Sequence, residues 1–176
     1  MKDNTIYVKV QEGSLAILEF PDYNIKTQAY IGKKGASKIK IEGNKKTPIG
    51  IFDLGIALGT HSNEEMQNKL KIHYEQITDD MYWVDDSNSK YYNKLVSIKN
   101  TEKDWDSAEH LIDFPTEYEY LVEIKTNPDN IPNQGSAIFL HCTQNEPTLG
   151  CVGINREIME KIITLIDTNT KISITK

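Results

Sequence analysis

The sequence predicts a mainly β fold with few helices (β-rich α+β), wrapped as a sandwich or a partly closed sheet. Three observations predict it. From Thr5 to Ile31, apolar and polar side chains alternate with period two, the spacing of half-buried strands. Glycine, proline and asparagine clusters recur between short apolar runs. Only one stretch, Ile158 to Ile166, repeats its apolar residues at clear helical spacing over several turns.

Taken in order, Thr5 to Val10 and Leu15 to Phe20 read as strands joined through the hairpin signal Glu12-Gly13. Asn24 to Ile31 continues them, and Gly32-Lys33-Lys34-Gly35 marks a turn, so the first third is an antiparallel meander. Gly43 to Thr47 is a polar loop. The apolar run from Ile49 to Leu58 carries Gly50 and Gly55, with Gly59 just beyond, a density expected of bulges or close backbone contact rather than a plain strand. Asn63 is placed to cap a short helix, with Glu64 and Glu65 in its first turn. His61 and His73 are expected to be solvated. Met81 to Val84 is a short strand, followed by the loop Asp85 to Ser89. Asp106 or Ser107 would cap a helical turn through Leu111 and Ile112, ended by Pro115. Tyr118 to Lys125 alternates as a strand. Asn155 is a good N-cap for the helix bearing Ile158, Met159, Ile162, Ile163, Leu165 and Ile166, and Lys171 to Thr175 closes the chain as a strand.

The 176 residues fit one domain, long enough to bury a core, and no repeat or linker divides them. A net charge of −6 without a basic run gives no electrostatic reason for a nucleic-acid partner. No apolar stretch approaches membrane-spanning length. Met1-Lys2-Asp3-Asn4 leads straight into the first strand, so no signal peptide is expected in this chain. Two cysteines nine residues apart make no disulfide framework.

The chemistry concentrates in Gly135 to Ile154, which holds both cysteines and His141. Strand parity puts Ala137, Phe139 and His141 on one face and Ile138, Leu140 and Cys142 on the other. After a polar loop, Thr148-Leu149-Gly150-Cys151 presents a cysteine on a glycine turn. A histidine within reach of a cysteine is the core of an activated thiol nucleophile, with Cys151 attacking and His141 as general base. Gly150 and Cys151 offer backbone N–H groups for an oxyanion hole, and Thr148 either lines the site or stabilises the turn. A buried free cysteine is also a common core residue, and a core histidine is the plain alternative for His141, though apolar neighbours on its face would leave it short of partners. A zinc site built from His141, Cys142 and Cys151 fits poorly, because parity sends the first two apart. No metal and no cofactor are expected.

His141 followed by Thr148-x-Gly150-Cys151 resembles the signature of the L,D-transpeptidase (YkuD-like) catalytic domain. Lys46-Thr47-Pro48-Ile49-Gly50 is similar to the family's K-T-P-x-G segment. Trp83-Val84-Asp85-Asp86, Tyr92-Asn93, Ala108-Glu109-His110-Leu111 and Gly135 to His141 resemble one branch, so the likeness runs from about Lys45 to the C-terminus. Many members carry histidine before the Gly-Cys pair and arginine two residues after the cysteine; Leu149 and Gly153 stand there in this chain. The resemblance implies the same β-rich fold and a backbone carbonyl at Cys142 orienting His141. It also implies a cysteine acyltransferase that releases D-Ala from peptidoglycan stem peptides and forms 3-3 cross-links. Water as acceptor would make it an L,D-carboxypeptidase; a non-catalytic wall-binding module is the reading from another class. Glu109, His110, Tyr92, Asn93 and Trp83 are candidate substrate contacts. A glutamate can hold the free amine of the stem diamino acid, so Glu109 is favoured. The substrate class implies the cell envelope or exterior; with no signal peptide expected, a removed leader, another export route and a cytoplasmic location are the alternatives.

Overall fold

The computed structural model describes residues 2–176; Met1, where the expected leader-free start begins, lies outside them. In chain order the strands are β1 (Thr5–Glu12), β2 (Leu15–Phe20), β3 (Ile25–Tyr30), β4 (Ala36–Ser37), β5 (Thr47–Pro48) and β6 (Gly50–Gly59). Helix α1 (Asn63–Gln67) follows, then β7 (Tyr74–Gln76), β8 (Met81–Val84), β9 (Leu95–Ser97), β10 (Ala108–His110), β11 (Tyr120–Ile124), β12 (Phe139–Cys142) and β13 (Val152–Ile154). Helix α2 (Arg156–Leu165) and β14 (Lys171–Thr175) complete the chain.

The main sheet runs β11-β12-β13-β3-β2-β1-β14-β6-β7, and β6 also pairs β11, which closes the sheet on itself like a barrel. Closure removes the exposed edges an open sheet would present. The meander β1-β2-β3 forms as its alternation requires, with Val8, Leu18 and Ala29 fully buried. The Ile49 to Leu58 region runs as strand from Gly50 and carries the irregularity its glycines predict: the β6–β11 register shifts between Val122 and Ile124, opposite Ala57 and Leu54. A Cβ at Gly55 would overlap the Glu123 carboxylate, and one at Gly59 the Glu119 carbonyl oxygen, so both positions are close approaches.

The barrel interior is apolar. Ile6, Phe20, Leu140, Cys142, Ile154 and Ile174 meet Met159, Ile162 and Ile163 of α2 there. Each large aliphatic side chain so buried contributes about 1.5–3 kcal/mol relative to exposure. Asn155 caps α2 as the sequence requires, its Oδ1 accepting from Glu157 N at 2.9 Å. The cap of α1 is Ser62 rather than Asn63: Ser62 Oγ accepts from Glu65 N, while Asn63 Oδ1 is engaged by Gln76 N at 2.7 Å.

The helical turn expected to start at Asp106 or Ser107 begins only at Leu111, with neither residue as its cap. Ala108–His110 instead pairs antiparallel with Tyr82–Val84, giving the small sheet β10-β8-β9. Asp106 N and Ser107 Oγ are tied to Asp86 and Asp85, so neither is placed as a cap; a short 3₁₀ turn follows at Leu111–Asp113. This small sheet lies over the outer face of β12, where Trp83, Leu111, Tyr118, Leu121, Phe139 and Cys151 form a second apolar cluster. The two faces of β12 therefore differ: one feeds the barrel core, the other lies beneath this cover.

Candidate active site

Parity sorts the central stretch as expected, although regular strand begins only at Phe139. Ala137 adopts φ 51° and Gly135 φ 104°, and neither lies in a strand. Ile138, Leu140 and Cys142 enter the barrel core; Ala137 and Phe139 join the outer cluster with Cys151. Cys142 is 1% exposed, and burial first of all pushes its thiol up to about 11.

His141 and Cys151 line one wall of a cleft on the outer face. The His141 ring is held by Nδ1, 2.7 Å from the Cys142 carbonyl oxygen. A carbonyl can only accept, so Nδ1 carries the proton and the neutral ring offers Nε2 as a base. Nε2 has no hydrogen-bond partner among the described residues. Burial holds the His141 pKa below its ordinary value, opposed by the Cys142 carbonyl, so the ring is neutral at neutral pH.

The Cys151 thiol is not hydrogen-bonded to that ring. Its Sγ donates to the Ala137 carbonyl oxygen at 3.2 Å and accepts from Phe139 N at 3.3 Å. Burial, then the neighbouring Glu109 carboxylate, pushes it up to about 12, while Phe139 N–H and the Lys40 ammonium pull the other way. The resting thiol is thus protonated and held by the Ala137 carbonyl and the Phe139 N–H, on the same cleft as the base.

Gly150 makes the turn that delivers Cys151. Its φ of 150° favours glycine, and a Cβ would stand 3.0 Å from Ile138 Cδ1 and 3.3 Å from Lys40 Nζ. Three hydrogen bonds fix the turn. Thr148 Oγ1 donates to Cys151 O at 2.6 Å and accepts from Gly150 N at 3.0 Å. Thr47 Oγ1 donates to Gly150 O at 2.8 Å while accepting from Gly32 N. The Gly150 N–H is therefore occupied at rest, and the Cys151 N–H has no acceptor among the described residues.

Glu109 lies close to the thiol; the other expected contacts do not. Glu109, Leu149 and Cys151 line two cavities, about 190 and 220 Å³, that meet at the cysteine. Burial pushes the Glu109 carboxyl up to about 7, and the Tyr118 hydroxyl, donating at 2.7 Å, partly opposes this. His110, next in β10, points to the opposite face. It stacks on Tyr82, and its Nε2 sits 2.6 Å from the Asp79 carbonyl. Tyr92 is buried behind the cleft wall, donating to Glu42 and accepting from Gly135 N. Asn93 Oδ1 accepts from Trp83 Nε1 and Ala137 N, and Trp83 packs edge-on to Phe139. These three residues shape the wall rather than face the opening. His73 is exposed, but His61, expected to be solvated, stacks on Tyr120 with Nε2 3.0 Å from Glu119.

Sequence reasoning passed over Lys40, Glu42, Thr47 and Tyr118. Thr47 stood inside the K-T-P-x-G segment, which was the available signal. The others come from loops or strand ends, and nothing in their spacing relates them to Cys151. Gly153 pairs His141 in register, and a Cβ there would lie 3.1 Å from Thr143 Cβ, so the arginine of other members has no ready space.

The family model for the YkuD L,D-transpeptidase catalytic domain matches residues 2–174. That span reaches well before the motifs that begin near Lys45. No curated protein and no solved structure matches the chain. No helix among the described residues is long and apolar enough to cross a membrane.

Proposed function

Because this chain belongs to the L,D-transpeptidase catalytic-domain family, we propose that it is a cysteine acyltransferase on peptidoglycan stem peptides, with Cys151 as nucleophile and His141 as base. The observation that carries this reading is the shared cleft, in which His141 is held in the Nδ1–H tautomer beside the only cysteine that opens on it.

The reaction we propose runs as follows. Substrate entering the cleft displaces the Sγ–Ala137 contact, and Sγ swings toward Nε2. As the S–C bond forms at the carbonyl of the third stem residue, the thiol proton passes to Nε2. The Cys151 N–H faces the developing oxyanion, and Gly150 N–H joins it if Thr148 releases it. The C–N bond then breaks, Nε2 returns the proton to the departing D-Ala amine, and a thioester remains on Cys151. An amine from a second stem attacks the thioester, gives its proton to Nε2 and restores the thiol, leaving a 3-3 cross-link. Every proton is carried by His141, so no cofactor is required.

Two cavities meeting at Cys151 suit a donor and an acceptor stem, which favours transfer over hydrolysis. Glu109 lines both and is placed to receive the free amine of the stem diamino acid. Trp83, Tyr92 and Asn93 support the wall against which the donor would lie. This substrate class assigns the reaction to the cell envelope.

Digestion of purified muropeptides followed by mass spectrometry tests the reading. Cross-linked dimers are expected. Tripeptide alone would mean an L,D-carboxypeptidase, and unchanged muropeptides a non-catalytic wall-binding module.

A further inference from the structure

The cavity of about 190 Å³ on the Gly150 side of Cys151 is lined by two cations, Lys40 and Lys45, and three acids, Glu42, Asp85 and Glu109; of the cations, Lys40 is the one set against Gly150. Lys40 extends from the loop after β4 and is half-buried. Its Nζ donates to Asn44 Oδ1 at 2.9 Å and to the Lys46 carbonyl oxygen at 3.0 Å. Both acceptors are neutral, and Lys40 forms no ion pair among the described residues. An ammonium has three donors, so one is left over. Glu42, the nearest acid in sequence, is engaged elsewhere: it accepts from Tyr92 and Ser136. Nζ is seated against Gly150, 3.3 Å from where a Cβ would stand, one residue before the nucleophile. Burial lowers its pKa and the nearby Glu42 carboxylate partly opposes this, so the ammonium is held partly out of water with part of its charge compensated. The two anchoring bonds pre-set the ammonium, with Glu42 on the same cavity but not directly paired to it.

The position matches a chemical need. An enzyme that releases one terminal residue must recognise where the chain ends, and the mark of that end is a carboxylate. In the donor stem that carboxylate lies only a few bonds beyond the scissile carbonyl, on the leaving side. A cavity below the roughly 300–1,000 Å³ of pockets for drug-sized ligands suits one residue-sized group. Leu149 and Gly153 supply no charge beside Cys151, so the cation must come from another part of the chain.

We propose that Lys40 is the specificity-determining residue that binds the terminal carboxylate of the donor stem. The inference rests on Cys151 being the nucleophile. Glu109, on the same cavity, takes the amine of the neighbouring diamino acid, so the two residues read opposite charges flanking the bond that breaks. Lys40 moves no proton; it seats the substrate.

The test uses two alkylating reagents of nearly one size, anionic iodoacetate and neutral iodoacetamide, on the full chain at pH 8, with rates followed by peptide mapping at Cys151. In the wild type the iodoacetate-to-iodoacetamide rate ratio should exceed that of free glutathione by roughly tenfold, the scale of one charge-assisted hydrogen bond. Lys40→Met should bring the ratio to the glutathione value, and Lys40→Arg should keep it raised. A wild-type ratio equal to that of glutathione, or a ratio unchanged in Lys40→Met, overturns the assignment of Lys40 while leaving Cys151 standing. Failure of both reagents to label Cys151 in the wild type overturns the nucleophile and this proposal with it. With tetrapeptide donors, Lys40→Met should raise KM about tenfold for the free acid and leave the terminal amide unchanged. If the variant instead loses discrimination only at the diamino-acid carboxylate, the terminal assignment is wrong.

Discussion

The Cys151 thiol donates to the Ala137 carbonyl oxygen, 3.2 Å away, rather than to the His141 ring on the same cleft wall. The base is ready, neutral and fixed by Cys142, but the nucleophile is parked. That arrangement differs from a standing thiolate–imidazolium pair, in which the cysteine ionises below neutrality. It describes general-base attack, with the proton leaving sulfur only as the carbonyl is engaged.

Alkylation should reveal this directly. Cys151 opens on the cleft and Cys142 faces the core, so limited iodoacetamide treatment should label Cys151 selectively. Because burial pushes the Cys151 thiol up to about 12, the labelling rate should climb steadily from pH 6 to pH 9. A plateau reached below pH 7 would show a preformed ion pair instead.

His141→Asn removes the base. A positioned general base is worth about 10²–10⁴-fold, and kcat should fall by that amount on stem peptides. The wild-type acid limb reports protonation of a ring whose pKa is held below its ordinary value by burial, so activity should fall only well on the acid side of neutrality. An acid limb unchanged in the variant would remove His141 from the mechanism.

Glu109 makes two predictions of opposite character. Burial raises its folded-state pKa from 4.5 to about 7. The folded chain then holds a proton that the unfolded chain releases, so this group lowers stability as pH rises from about 4.5 through about 7. Glu109→Gln should therefore gain about 1–3 kcal/mol over wild type at pH 8 and little at pH 4.5, read from denaturation midpoints. The same variant should weaken stem-peptide turnover and leave Cys151 alkylation intact. Full turnover in Glu109→Gln would show that the amine is held elsewhere.

Thr47→Val keeps shape and deletes the hydroxyl that links Gly32 N to Gly150 O. Thr47 is fully buried, so the loss should cost about 1–3 kcal/mol. It should also slow Cys151 chemistry by loosening the Gly150 peptide. Wild-type stability in the variant would mean that the turn is held by Thr148 alone.

Local rules reached the features that local physics determines. Alternation placed the β1–β3 meander, helical spacing and Asn155 placed α2, and parity divided His141 from Cys142. The same rules misread Ala108–His110, because three residues beside two potential caps look helical until their pairing partners at Tyr82–Val84 are known. Strand β13 is too short to declare itself between a turn and a helix cap. The pairing of Cys151 with a cleft was readable from Gly150 and His141. The Lys40 ammonium, the Thr47 clamp and the Tyr118–Glu109 bond were not, since each depends on barrel closure bringing distant segments to one place.

The central claim is that acyl transfer passes through Cys151, and intact-protein mass spectrometry after mixing with a donor tetrapeptide, without acceptor, measures it most directly. The account predicts an adduct of the donor minus D-Ala, mapped to the peptide carrying Cys151, absent from Cys151→Ala and discharged by an added acceptor amine. An adduct on Cys142, or D-Ala release that persists in Cys151→Ala, would contradict it.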